Sequence, residues 1–170
     1  MSTRTLTLTA VLTAMLCILG PVTLPLGAVP LSLTTALLML MALLLGTKRA
    51  LICCLLYLLL GLLGLPVFSG FRGGVGHLVG VTGGFLWGFL VSCLVYWVLE
   101  KIGKIPALVA SLLACYLCGC GWFYFYSGGG LAFILARCVI PCLIPDTLKL
   151  WLAYSLSRRL RKVINIPSRT

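Results

Sequence analysis

"GGVGHLVGVTGGFLWGF", residues 73–89, decides how the chain is read. Its first sixteen residues hold seven of the nineteen glycines in the protein, and they lead into an apolar run ending at Leu99. Each Gly costs a helix about 1 kcal/mol relative to Ala, so this is an expensive way to begin a long apolar helix. Bare backbone permits turns with positive φ and lets a ligand approach main-chain N–H groups. At membrane depth, irregular backbone is tolerated only where it faces protein or a cavity. The stretch therefore predicts a loop and a helix mouth bordering a cavity.

The composition around it predicts a membrane. Hydrophobic residues make up 62% of the 170 positions and charged ones 9%, more apolar surface than a soluble core of this length can bury. Lipid leaves only helices or a closed barrel, and the apolar runs here are continuous and Leu-rich, without period-two alternation. The expected fold is an all-α integral membrane protein of one domain, with six transmembrane helices over residues 5–20, 31–46, 50–66, 78–99, 106–126 and 146–158. Several of these spans are about sixteen residues long, roughly 24 Å against a hydrocarbon core of ~30 Å. Such spans thin the bilayer, sit askew in it or lean on a partner.

Charge fixes the orientation. With both termini cytoplasmic, the inner ends carry Arg4, Lys48, Arg49, Lys101, Lys104, Arg158, Arg159, Arg161, Lys162 and Arg169, and only Arg72 and Arg137 lie outside. A seventh span over 131–145 would export the basic tail against the positive-inside rule. Residues 131–140 are instead expected as a short interfacial helix before the last span. The net charge of +11 then marks headgroup contacts, and no nucleic acid is expected as a partner.

Few residues could carry chemistry. Nine cysteines lie in or beside apolar segments and read as small apolar filler, with Cys138 and Cys142 the pair to consider for a disulfide. No metal site, phosphate loop or nucleophile–base pair has the required spacing, so no catalytic residue, cofactor or metal is expected. His77 stands alone among glycines and reads as a loop histidine. Of the two acidic residues, Glu100 lies beside Lys101 and Lys104, which suggests a solvated ion pair. Asp146 follows Pro145 and precedes Lys149 by three positions, which places both on one helix face. Two readings stay open: a helix cap, with Asp at the positive end and Lys149 snorkelling, or a recognition pair. Such a pair suits a cyclic urea, whose N–H groups would go to Asp146 and whose carbonyl would go to Lys149. Ala10 and Ala14, four apart on the first helix, form a small-residue face that serves either packing within the chain or a partner.

Four stretches resemble the BioY family, the biotin-binding subunit of energy-coupling factor transporters. "LGAVPLSLTT" (26–35) resembles PLGPVPITLQT, and "LYLLLGLLGLPVFSGF" (56–71) is similar to that family's third helix and following loop. "GGVGHLVGVTGGFLWGF" is similar to GGxGxLxGPTGGYLxGF, and "IPDTLKLWLA" (144–153) resembles IPGDLIKAxLA with its D-x-x-K spacing. The departures are Val81 for Pro, Phe85 for Tyr, Thr34 for Gln, and no Gly before Asp146. The resemblance implies a multi-pass protein of the bacterial cytoplasmic membrane that binds biotin, with a transmembrane coupling subunit and two cytoplasmic ATPase subunits as partners. It implies a biotin site formed by Gly74, Gly76, Gly80, Thr82, Gly83, Gly84, Phe85, Asp146 and Lys149. It also implies that Ala10 and Ala14 face the coupling subunit. A binding subunit for another small vitamin and a non-transporting membrane scaffold are the alternatives.

Overall fold

The chain folds around its second helix. The structure, a computed structural model, describes residues 3–24, 31–128 and 139–164. Helix α1 spans Thr3–Leu19, α2 Thr34–Leu45, α3 Thr47–Leu62, α4 Val75–Val79, α5 Gly83–Leu99, α6 Lys104–Ser127 and α7 Ile140–Ile164. Between α1 and α2, two-residue strands β1 (Thr23–Leu24) and β2 (Leu31–Ser32) pair antiparallel, Thr23 opposite Ser32. Every residue of α2 from Leu37 to Leu45 is buried, as expected of a helix that is apolar on all sides. It is flanked by α1, α3, α5 and α7.

The outside is as apolar as the inside. Ile18 on α1, Leu59 on α3, Trp97 on α5, Leu117 and Phe125 on α6 and Trp151 on α7 are all exposed. A water-facing surface does not carry large apolar groups on every side. Within the described residues, α6 over Lys104–Tyr126 is long and apolar enough to cross a bilayer, while Leu6–Leu19, Thr34–Leu45 and Gly83–Leu99 are shorter apolar helices.

Several boundaries differ from the sequence expectation, each for a local reason. The run 78–99 is not one helix: α4 stops at Val79, residues 80–82 turn, and α5 starts at Gly83. The Gly80 carbonyl in that turn accepts from the Gly83 N–H at 2.9 Å and from the Trp122 indole N–H at 3.0 Å. Residues 31 and 32 are in a strand, so the second helix begins three residues late. At the other end of the chain, α7 begins at Ile140, so Asp146 is its seventh residue, with Pro145 inside the helix and no acidic residue in the first turn. The helix-cap reading of Asp146 therefore fails: the macrodipole acts within the first turn only. The interfacial helix over 131–140 falls almost entirely outside the described residues, as do Arg137 and Cys138.

Helices α5 and α6 pack most closely, and glycine makes this possible. A Cβ on Gly84 would sit 2.1 Å from the Cβ of Trp122, and one on Gly119 would sit 2.4 Å from the Phe85 ring. At the far end of the bundle, Glu100 makes no ion pair with Lys101 or Lys104. It accepts a hydrogen bond from the Thr47 hydroxyl at 2.5 Å, and Lys48 Nζ lies 6.0 Å from the Trp97 ring centroid. Glu100 thus joins the α2–α3 turn to the α5–α6 turn.

Candidate ligand-binding site

The walls of the site come from distant parts of the chain. The loop after α3 folds back through Phe68, whose N–H donates to the Arg72 carbonyl at 2.8 Å, while the Gly70 N–H reaches the Pro21 carbonyl at 3.0 Å. Phe71 closes that turn with φ 57°, a left-handed conformation uncommon outside glycine. Phe68 is fully buried. Its ring meets Tyr57 edge-on and stacks on His77, each at a centroid distance of 5.6 Å. That stack fixes His77 over the helix mouth, where Nε2 lies 3.4 Å from Thr82 Oγ1. Burial, then the Arg72 charge, push the imidazole pKa below its ordinary value.

Two cavities meet at Ser69, His77 and Thr82. The inner one, about 50 Å³, runs between α5, α6 and α7; Phe85, Phe89 and Leu112 form its apolar sides, and Tyr116, Asp146 and Lys149 its polar end. Ser32 and Thr35 close it from the strand pair and α2. The outer cavity, about 510 Å³, carries Arg72, with Gly76, Gly80 and Val81 along its wall. Together they form a cleft with hydroxyls at the neck, an Asp–Lys pair at the inner end and Arg72 at the outer one.

At the inner end, Lys149 Nζ donates to Asp146 Oδ1 at 2.9 Å and to the Ser32 carbonyl at 2.6 Å. The Tyr116 hydroxyl donates to Asp146 Oδ2 at 2.5 Å. Asp146 and Lys149 are 6% and 9% exposed, so this is a buried ion pair, and among the described residues it is the only one. An ammonium has three donors and a carboxylate about four acceptor positions. One donor and about two acceptor positions remain, a complement to a group that carries a carbonyl and N–H together.

The predicted site residues separate into two kinds. Thr82, Phe85, Asp146 and Lys149 line the inner cavity, and Gly76, Gly80 and Thr82 the outer one. Gly74, Gly83 and Gly84 line neither. Gly74 has φ 90°, and its N–H donates to the Gly61 carbonyl at 2.7 Å, tying α4 to α3. A Cβ on Gly83 would lie 2.0 Å from the Leu78 carbonyl oxygen. Gly74 supplies a positive φ, Gly83 lets backbone approach backbone, and Gly84 admits the Trp122 side chain. Ala10 and Ala14 are exposed, whereas Thr9, Thr13 and Leu16 on the other face of α1 are buried; packing within the chain does not use the alanine face. His77, expected as a bystander, sits at the neck of the cleft. Tyr116, Ser32, Ser69 and Arg72 complete the site, and no spacing pattern links them to Asp146. Cys142 is a free thiol beside the inner cavity.

The model of the BioY family matches residues 1–166. The chain belongs to the BioY family. Similar members include the "Probable biotin transporter BioY" of Pyrococcus horikoshii, 34% identical over 95% of this chain and 98% of the relative. The "Biotin transporter BioY" of Thermotoga maritima is 32% identical over 94% and 97%. Among solved structures, the S-component for biotin from an ECF-type ABC transporter superimposes with a TM-score of 0.86 at 29% identity, covering 95% of each chain. The BioY relatives are transport components and not enzymes.

Proposed function

We propose that this chain is the substrate-binding subunit of an energy-coupling factor transporter and takes up biotin. The buried Asp146–Lys149 pair at the closed end of a largely apolar cavity carries the proposal. Its spare donor and acceptors match the ureido ring, with the ring N–H groups on Asp146 and the carbonyl on Lys149. Phe85 and Phe89 flank the fused rings, and Gly76, Gly80 and Thr82 line the path of the tail. Gly74, Gly83 and Gly84 support that wall from behind. The tail carboxylate ends in the outer cavity near Arg72.

The membrane arrangement that goes with this function has six spans, over the residues given above, with both termini cytoplasmic and the cleft opening outward across the cytoplasmic membrane. The exposed Ala10 and Ala14 face would receive the transmembrane coupling subunit, to which two cytoplasmic ATPases bind. The chain has no phosphate loop of its own, so uphill transport draws its energy from those partners.

Purified chain in detergent should bind one biotin, measured by calorimetry, and should restore labelled-biotin uptake to an auxotroph when expressed with the coupling and ATPase subunits. Retention of a different vitamin, identified by mass spectrometry, or of no small molecule at all, overturns the assignment. The orientation has its own test. Arg72→Gln should weaken biotin about ten-fold, the scale of one charge-assisted hydrogen bond, and leave biotinamide, which lacks the carboxylate, unchanged. Equal weakening of both ligands would refute a tail contact at Arg72.

A further inference from the structure

Asp146 and Lys149 are three residues apart on α7 and hold each other through their ion pair. Each is anchored from another element. The Ser32 carbonyl of β2 fixes the ammonium, and the Tyr116 hydroxyl of α6 fixes the carboxylate. Tyr116 is 7% exposed, and its hydroxyl, carried to the polar end of the cavity, needs a partner once it is out of water. Asp146 Oδ2 is that partner. With Lys149 on Oδ1 and Tyr116 on Oδ2, the carboxylate is held between two donors and cannot swing about its terminal torsion.

We propose that Tyr116 is a positioning residue for ligand recognition: its hydroxyl holds the Asp146 carboxylate in the one orientation that leaves its remaining acceptor positions to the ligand. The proposal rests on the biotin reading above and adds a residue from a different helix to the recognition pair. An aspartate held by Lys149 alone would retain its charge but not its aim. Ligand N–H groups would then have to organise the carboxylate as they bind, at a cost in affinity. A phenylalanine at this position keeps the ring and its contacts with Leu112 and Cys142 and removes only the donor.

The test is a double-mutant cycle on the full chain in detergent, with biotin affinity measured for wild type, Tyr116→Phe, Asp146→Asn and the double variant. Tyr116→Phe should weaken biotin about ten-fold in the wild-type background and by about two-fold or less once Asp146 is Asn, because the hydroxyl acts through the carboxylate. Equal losses in both backgrounds would mean that Tyr116 works by packing or direct ligand contact, and would overturn the proposal. A second readout needs no ligand. The infrared carboxylate band of Asp146, isolated by subtracting the Asp146→Asn spectrum, should shift in Tyr116→Phe; an unmoved band also overturns the positioning role. If the wild type itself fails to bind biotin, the proposed function falls. If it binds and Tyr116→Phe binds equally well, only the role of Tyr116 falls.

Discussion

Replacing Lys149 by Met will reduce biotin binding at least about 100-fold and lower the melting temperature of the protein. The ammonium is the site's charged donor, and the ion pair it completes is buried on both sides. Removing one member of such a pair typically costs 3–5 kcal/mol because the other is left charged without compensation. Asp146→Asn should behave similarly, since Lys149 then keeps only the Ser32 carbonyl and a neutral amide. The double replacement Asp146→Leu with Lys149→Met separates the two consequences. Exchanging a buried pair for apolar groups of similar volume is often neutral or stabilising, so the double variant should regain thermal stability and still bind no biotin. Recovery of binding in that variant, or wild-type affinity in either single one, would refute the recognition role. Calorimetry and thermal unfolding on the same samples provide both readings.

The second large effect concerns packing. Gly84→Leu is expected to prevent recovery of a folded monomer, because even a Cβ there would lie 2.1 Å from the Trp122 Cβ and 3.0 Å from the Cys118 carbonyl oxygen. Neither neighbour is the far end of a flexible chain, so α5 and α6 must move apart. Overpacking usually costs 1–3 kcal/mol where the surroundings can adjust, and here they cannot. Gly84→Ala should already lower the melting temperature clearly. Gly121 is the control: a Cβ there would meet nothing within 4 Å, and Gly→Ala in a helix gains up to about 1 kcal/mol. Size-exclusion profiles and unfolding curves of the three variants check the contrast. A well-folded Gly84→Leu would show that the close approach of the helices is not needed.

These two outcomes bear on what the sequence could and could not say. The helices were legible because lipid-facing surface demands long apolar runs, and the D-x-x-K pair was legible because two opposite charges in an apolar segment need an explanation. Asp146 was misplaced at a helix start because Pro145 normally marks a boundary, whereas α7 carries that proline in its interior. The glycines of the stretch serve different ends: Gly76 and Gly80 border the cleft, while Gly83 and Gly84 let chain segments touch. Tyr116 could not be found by spacing, since it lies 30 positions from Asp146 on a helix face that only packing against α7 defines. Arg72 reads from the sequence as a charge on the non-cytoplasmic side, and its place beside the cleft depends on the left-handed turn at Phe71. His77 reads from the sequence as a loop histidine among glycines, yet its ring lies at the neck because Phe68 stacks beneath it.

The Lys149–Ser32 hydrogen bond has a mechanical side. Ser32 lies on β2, just before α2, so an ammonium that received a ligand carbonyl as proposed would also hold the backbone of the strand pair. In the proposed pose a ligand carbonyl takes the third proton of an ammonium that already donates to residue 32. In that pose the ligand and the strand pair would share one ammonium, and a spectroscopic label beside Ser32 would report an occupied cleft.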